Sequence, residues 1–231
     1  MDTAASSPPP KMLSYLLGFN AGYVDTAGFL ALGGLFTAHV TGNFVTLGAA
    51  LIHGSDGALS KLAALPVFCV AVLLARWGSS ALEARQHAPM RQLIGVKVLL
   101  LVAAAVLMWV YGPFADADAP AAFVAGMCMV SAMAVQNAMQ RMHLAALPPS
   151  TLMTGNTTQV MIDLADLLKG VQGEARISAV ARLKKMLPAI ACFATGCALA
   201  ALAYVGLGMG CFAVPPLVAL ASGWYAGPAK P

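Results

Sequence analysis

Charge is what this sequence has least of. Only 10% of its 231 residues are Asp, Glu, Lys or Arg, whereas 60% are apolar and the mean hydropathy is +0.79. An ordinary soluble domain carries about 25% charged residues, so a water-soluble fold is excluded. Apolar runs of about 20 residues recur, each long enough to cross roughly 30 Å of hydrocarbon as a helix. An all-α, polytopic membrane protein is therefore expected, with the lipid bilayer as its surroundings.

Other absences narrow the function. Neither Gly-x-Ser-x-Gly nor His-Glu-x-x-His occurs, and Ser131 has no histidine within its own apolar run to activate it, so no enzymatic activity is expected. A nucleotide-binding glycine-lysine loop is also missing, which leaves an ion gradient as the energy source for any uphill transport. The cysteines, Cys69, Cys128, Cys192, Cys197 and Cys211, all fall in apolar stretches without Cys-x-x-Cys spacing or a histidine at ligand distance. They read as small buried hydrophobes, and no metal or cofactor is expected. The net charge of +4 is not a nucleic-acid footprint, because the basic residues cluster between apolar runs, where membrane topology accounts for them.

What is present is a repeated tripeptide. Thr41-Gly42-Asn43 recurs as Thr154-Gly155-Asn156, 113 positions later in a chain of 231, each with a hydroxyl residue four positions earlier, Thr37 or Ser150. Half the chain length is the spacing that a duplication leaves. Asp25 precedes the first copy by 16 residues and Asn137 the second by 17, while Pro66 and Pro188 open the apolar run after each.

Full spans are expected at 12–34, 62–82, 93–114, 120–140, 186–208 and 209–226, the last interrupted by Pro215-Pro216. A polar, proline-rich tail of residues 1–11 is expected to be disordered. Asp25 in the middle of the first span, with no small-residue cleavage site after it, argues against a cleaved signal peptide. The motif segments, roughly 35–54 and 149–168, lie between the spans.

Charge decides how those segments run. Arg85, His87, Arg91 and Lys97 form one basic loop and Lys169–Lys185 another, whereas Asp116 and Asp118 form an acidic one. If both motif segments enter and leave from the same face, both basic loops fall in the cytoplasm with both termini, and the acidic loop lies outside. Each half, 12–114 and 120–226, then has three spans and one re-entrant segment, and the odd number inverts the second half. The expected architecture is two inverted-topology repeats in one membrane domain, with six full transmembrane helices plus two re-entrant helices carrying Thr-Gly-Asn.

A backbone that leaves the helix inside hydrocarbon must find partners for its amides and carbonyls. Glycine permits the turn, and threonine and asparagine side chains suit a cap on the next helix. Two helix N-termini meeting near the midplane would offer partial positive charge to a solute.

The stretch "GFNAGYVDTAGFLALGGLFTAHVTGNFVTLGAAL" resembles the opening of the YoaK-like bacterial membrane proteins, a family with a domain of unknown function. Gly22, Asp25, Phe36 and Thr41-Gly42-Asn43 carry the resemblance, with Asn137 and Thr154-Gly155-Asn156 matching in the second half. It implies a multi-pass protein of the bacterial inner membrane, and it brings no established substrate.

Function must come from polar residues at membrane depth, which are costly and tend to face a cavity or a partner. Asp25 reads either as a carboxylate bonded to a neighbouring helix or as an ion or proton site. His39, within the first break, has an imidazole suited to carrying a proton. Asn156, Gln159, Asp163 and Asp166 succeed one another at steps of three, four and three on one helix face, which lines either a solute path or the cytoplasmic exit. The expected solute contacts are Thr41, Gly42, Asn43, Thr154, Gly155, Asn156, Asn137 and Gln159, and the expected coupling groups are Asp25, His39 and Asp163. The resulting expectation is a transporter or channel for a small polar or anionic solute. A non-transporting scaffold or accessory subunit, in which the motifs only let helices pack, stays open, as does a homo-oligomer.

Overall fold

In hydrocarbon a helix satisfies its own backbone, so a chain this apolar folds as helices wherever it is long enough. The computed structural model describes residues 11–53 and 57–226, and the tail expected before Lys11 lies outside them. Its helices are α1 (Lys11–Ala31), α2 (Gly42–His53), α3 (Ala58–Ala84), α4 (Pro89–Tyr111), α5 (Pro120–His143), α6 (Met153–Leu168), α7 (Gly173–Leu207) and α8 (Val214–Trp224). A 3-10 turn, Gly208–Ala213, links the last two, and no strand occurs among the described residues.

Four helical stretches are long and apolar enough to cross a membrane: α3, α4, α5 and the stretch Gly173–Trp224, which joins α7 and α8 through the 3-10 turn. The expected count of six full spans plus two re-entrant helices is thus not what length and apolarity give. α1 misses because Ser14, Asn20, Asp25, Thr26 and three glycines dilute its 21 residues. Between the expected spans 186–208 and 209–226 the helix breaks at Gly208, whose φ is +54°, and after a 3-10 turn Pro215 and Pro216 do not interrupt a helix but start α8, where the missing amide hydrogen is no loss.

Two basic stretches also differ from expectation. Lys169–Lys185 is not a loop, since α7 begins at Gly173 and continues through it. Alanine, arginine, lysine and leucine are strong helix formers, and charge alone does not mark a break. Lys97 is not in a loop either: α4 starts at Pro89, which puts Lys97 well inside the helix, fully buried. Of the cysteines expected to be buried, only Cys211 is, and Cys69 faces outward.

The outside of the bundle is apolar, with Trp109 79% and Val205 88% exposed, a surface that only hydrocarbon tolerates over such an extent. α5 is the central helix: 72% of its most apolar window is buried, against 17% to 33% for the other three long stretches. α1 packs on α7 and α5 on α3; α4 packs on α5 and α8 on α1; α2 lies on α3 and α6 on α7; α4 and α8 meet each other.

The α1–α7 crossing brings two backbones almost into contact. A Cβ on Gly22 would stand 2.2 Å from the Phe193 carbonyl oxygen, and one on Gly196 would stand 2.1 Å from that of Phe19. Only glycine fits at either place, and such small-residue crossings are how helices pack in lipid. With 12 and 16 residues, α2 and α6 are about 18 and 24 Å long, short of roughly 30 Å of hydrocarbon. They are not packed against one another.

Candidate functional site

What meets instead is the irregular chain in front of each short helix. Between α1 and α2 the backbone leaves the helix and its amides need acceptors. Asp25, buried on α1, supplies them: Oδ1 accepts from Thr37 N and Ala38 N, both at 2.8 Å, and from the Thr37 hydroxyl at 3.3 Å. Oδ2 faces His39 Nδ1 at 2.7 Å, and the imidazole is 36% exposed. The main chain of Thr151, in the segment before α6, lies beside the His39 ring. Thr151 in turn donates its hydroxyl to Asn137 Oδ1 at 2.6 Å, while Asn137 Nδ2 donates to the Met133 carbonyl at 2.9 Å. Asp25 and Asn137, paired in the sequence by their distance from the motifs, thus hold neighbouring parts of the two segments, Asp25 through His39 and Asn137 through Thr151.

The second segment is held as the first is, by a different residue. Ser150, the counterpart of Thr37, donates its amide (2.9 Å) and its hydroxyl (2.6 Å) to Gln140 Oε1. Gln140, not Asn137, therefore does for this segment what Asp25 does for the first. Gln140 Nε2 donates to the Pro148 carbonyl, and Gln136 Nε2 donates to Ser150 Oγ at 2.8 Å and to the Leu17 carbonyl at 3.0 Å. Gln136 Oε1 accepts from Nζ of Lys97. Sequence reasoning missed Lys97, Gln136 and Gln140. The signal was available in Ser150, whose amide and hydroxyl needed an acceptor, and in Pro89, which marks the start of α4.

The motif residues divide between support and surface. Asn43 Oδ1 accepts from Phe36 N and its Nδ2 donates to Phe36 O, both at 2.8 Å, so one side chain satisfies both main-chain groups of a residue that belongs to no helix. Asn156 Nδ2 reaches the carbonyl of Pro149, also seven residues earlier, at 2.9 Å. Proline has no amide hydrogen, so only half of the pairing is present there. Both asparagines are buried, and neither caps the helix after it, contrary to the capping role expected of them. The asparagine amide is better used on the irregular backbone behind it, which has no other partner.

Thr41 and Gly42 lie on a recess of about 640 Å³ together with Asp25, Thr26, Phe29, Phe36, His39, Phe193 and Cys197. His39 meets Phe193 edge-on with ring centroids 5.7 Å apart, and Phe29 and Phe36 lie 5.0 Å apart. Thr154 and Gly155 are exposed, and a Cβ on Gly155 would meet nothing within 4 Å. Gln159 donates to Asp163 at 3.0 Å, and Asp163, with no exposed surface, is held by Arg182 of α7 through contacts of 2.6 to 3.2 Å. Asp163 thus ties α6 to α7, and the cation it approaches is Arg182 rather than Lys169 or Arg176.

Long apolar helices, an outer surface suited to lipid and a buried polar centre define a multi-pass α-helical membrane protein. The chain belongs to the family described as Protein of unknown function (DUF1275), which it matches over residues 13–225. No curated protein and no solved structure matches it.

Proposed function

We propose that the protein is a small-solute transporter or channel of the bacterial inner membrane, with solute taken where the two irregular segments converge beside Asp25 and His39. One observation carries this reading: a carboxylate–imidazole pair, set where the two irregular segments come close, borders an open recess of about 640 Å³. Ionisable groups and non-helical backbone inside a membrane are sustained where they line a cavity.

The packing pattern supports two related halves. Exchanging α1–α4 with α5–α8 turns α1 on α7 into α5 on α3, α2 on α3 into α6 on α7, and α4 on α5 into α8 on α1, and leaves α4 on α8 unchanged. With α2 and α6 re-entrant, the second half is inverted, both termini and both basic stretches lie in the cytoplasm, and Asp116 and Asp118 lie outside. Transporters with inverted repeats hold their substrate where the halves meet.

Solute contact passes from Asn43 and Asn156, whose amides are committed to the main chain, to Thr41, Gly42 and the Asp25–His39 pair. That same commitment favours the second reading, a non-transporting scaffold in which the motifs are packing elements. Flux of labelled small solutes in proteoliposomes separates them. Flux that falls at least about tenfold in His39→Gln, with an unchanged melting temperature, supports transport, since proton carriers at such sites contribute on that scale or more. Folded protein that passes none of a panel of cations, anions and neutral solutes leaves the scaffold reading.

A further inference from the structure

We infer that the recess takes a small organic cation with an apolar body, an alkylammonium, at Oδ2 of Asp25 in exchange for a proton carried by His39. The inference deepens the transport reading and rests on it only for the fate of the cation once bound.

The two oxygens of Asp25 are not equivalent. Oδ1 holds the Thr37 and Ala38 amides and the Thr37 hydroxyl, and withdrawing it would release the segment before α2. Oδ2 holds His39 alone, and His39 belongs to irregular chain with its imidazole partly exposed. Oδ2 is therefore the oxygen that can be handed to another donor with the fold intact.

The site already accommodates a cation. The imidazole faces the Asp25 carboxylate at 2.7 Å. A ring N–H facing a carboxylate at this distance makes a charge-assisted bond when the ring is imidazolium, so the recess is built around a positive charge. Among the described residues the lining contains no lysine or arginine, and its remaining titratable group is the Cys197 thiol of α7. Phe29, Phe36 and Phe193 complete the wall, and aromatic rings attract cations while covering an apolar body. An anion fares worse, because Asp25 is fixed on α1 and would face it once His39 turned away.

The exchange balances. An alkylammonium pairs with Asp25 Oδ2, the imidazolium gives one proton to water and becomes neutral, and the net charge of the site does not change.

Calorimetric titration of the purified protein in detergent, with butylammonium and its isosteric anion butyrate, tests the proposal. Butylammonium is expected to bind and butyrate not to. Affinity is expected to rise with pH, by up to about tenfold per unit, over the range in which His39 is protonated in the free protein, and to level off above it. Within that range about one proton should be released per cation, read from the dependence of the heat on buffer ionisation. His39→Gln should still bind butylammonium with the pH dependence and proton release gone, and Phe193→Ala should weaken binding about tenfold. Butyrate binding, no butylammonium binding, or butylammonium affinity independent of pH would each overturn the assignment. Proteoliposome flux distinguishes the two readings: butylammonium that binds without crossing sinks transport and keeps the cation site, whereas His39-dependent flux of anions alone keeps transport and sinks the cation site.

Discussion

Asn43 and Phe36 exchange two hydrogen bonds of 2.8 Å, the side-chain amide of one reading both main-chain groups of the other across seven residues. In the second half Asn156 makes the corresponding bond to Pro149 alone. Asn43→Ala leaves a buried donor and acceptor unpaired and is expected to destabilise by about 2 kcal/mol or more, and Asn156→Ala by about 1 kcal/mol. Thermal unfolding of both variants in detergent checks the order. An equal or reversed loss would show that the Phe36 amide finds another acceptor.

The three glycines of closest interest should respond in opposite directions. Gly22→Ala and Gly196→Ala each drive a methyl group into a carbonyl oxygen of the facing helix, and overpacking of this kind costs about 1 to 3 kcal/mol or more. Gly155→Ala meets open space inside α6 and should stabilise by roughly 0.5 to 1 kcal/mol through helix propensity. Melting temperatures of the three variants provide the check, and a stable Gly22→Ala protein would refute the close α1–α7 crossing.

Asn20 on α1 is fully buried, and neither its amide nitrogen nor its oxygen has a hydrogen-bond partner. Burying an unpaired amide costs about 1 to 3 kcal/mol, so Asn20→Leu, of similar size, is expected to raise stability by about 1 kcal/mol. A lower melting temperature in this variant would mean that the amide is bonded in the membrane-embedded protein.

Acid should loosen the start of α3. Burial pushes the Asp118 carboxyl up, but the amides of Leu59 and Ser60, the Ser60 hydroxyl and nearby Lys61 outweigh it and hold the group below the usual carboxylate range. A carboxyl depressed in the folded protein contributes stability that is present above its unfolded value near about 4 and is lost as pH falls through the folded value. Amide exchange at Leu59 and Ser60 should accelerate over that window, and in Asp118→Asn the window should disappear. Exchange with the same pH profile in both proteins would place the cap elsewhere.

Length and apolarity are local properties, so the expected spans at 62–82, 93–114 and 120–140 reappear within α3, α4 and α5 with shifted ends. Asp25 and His39 are legible as ionisable groups near a break in the helical pattern, but their pairing is not, because it depends on how the chain turns after Ala31. Lys97 is misplaced when charge is read before helix-start chemistry. Counting back from the motif favours Asn137 over Gln140, and the two lie three residues apart on one helix, where a small change in the length of the loop moves the contact by a turn. Asp163 and Arg182 are 19 residues apart on two helices, one of which reads as a basic loop in its first turns, so nothing local links them.

The main-chain contact at Gly22 and Gly196 also limits how the molecule can move. With carbonyl oxygens of Phe193 and Phe19 lodged against those positions, any slide or roll of α1 on α7 that replaced a glycine there by a residue with a side chain would drive a Cβ into a carbonyl oxygen. Any rocking that exposes the recess first to one compartment and then to the other must carry the two helices as a single lever, so the pivot has to lie in the flanking segments.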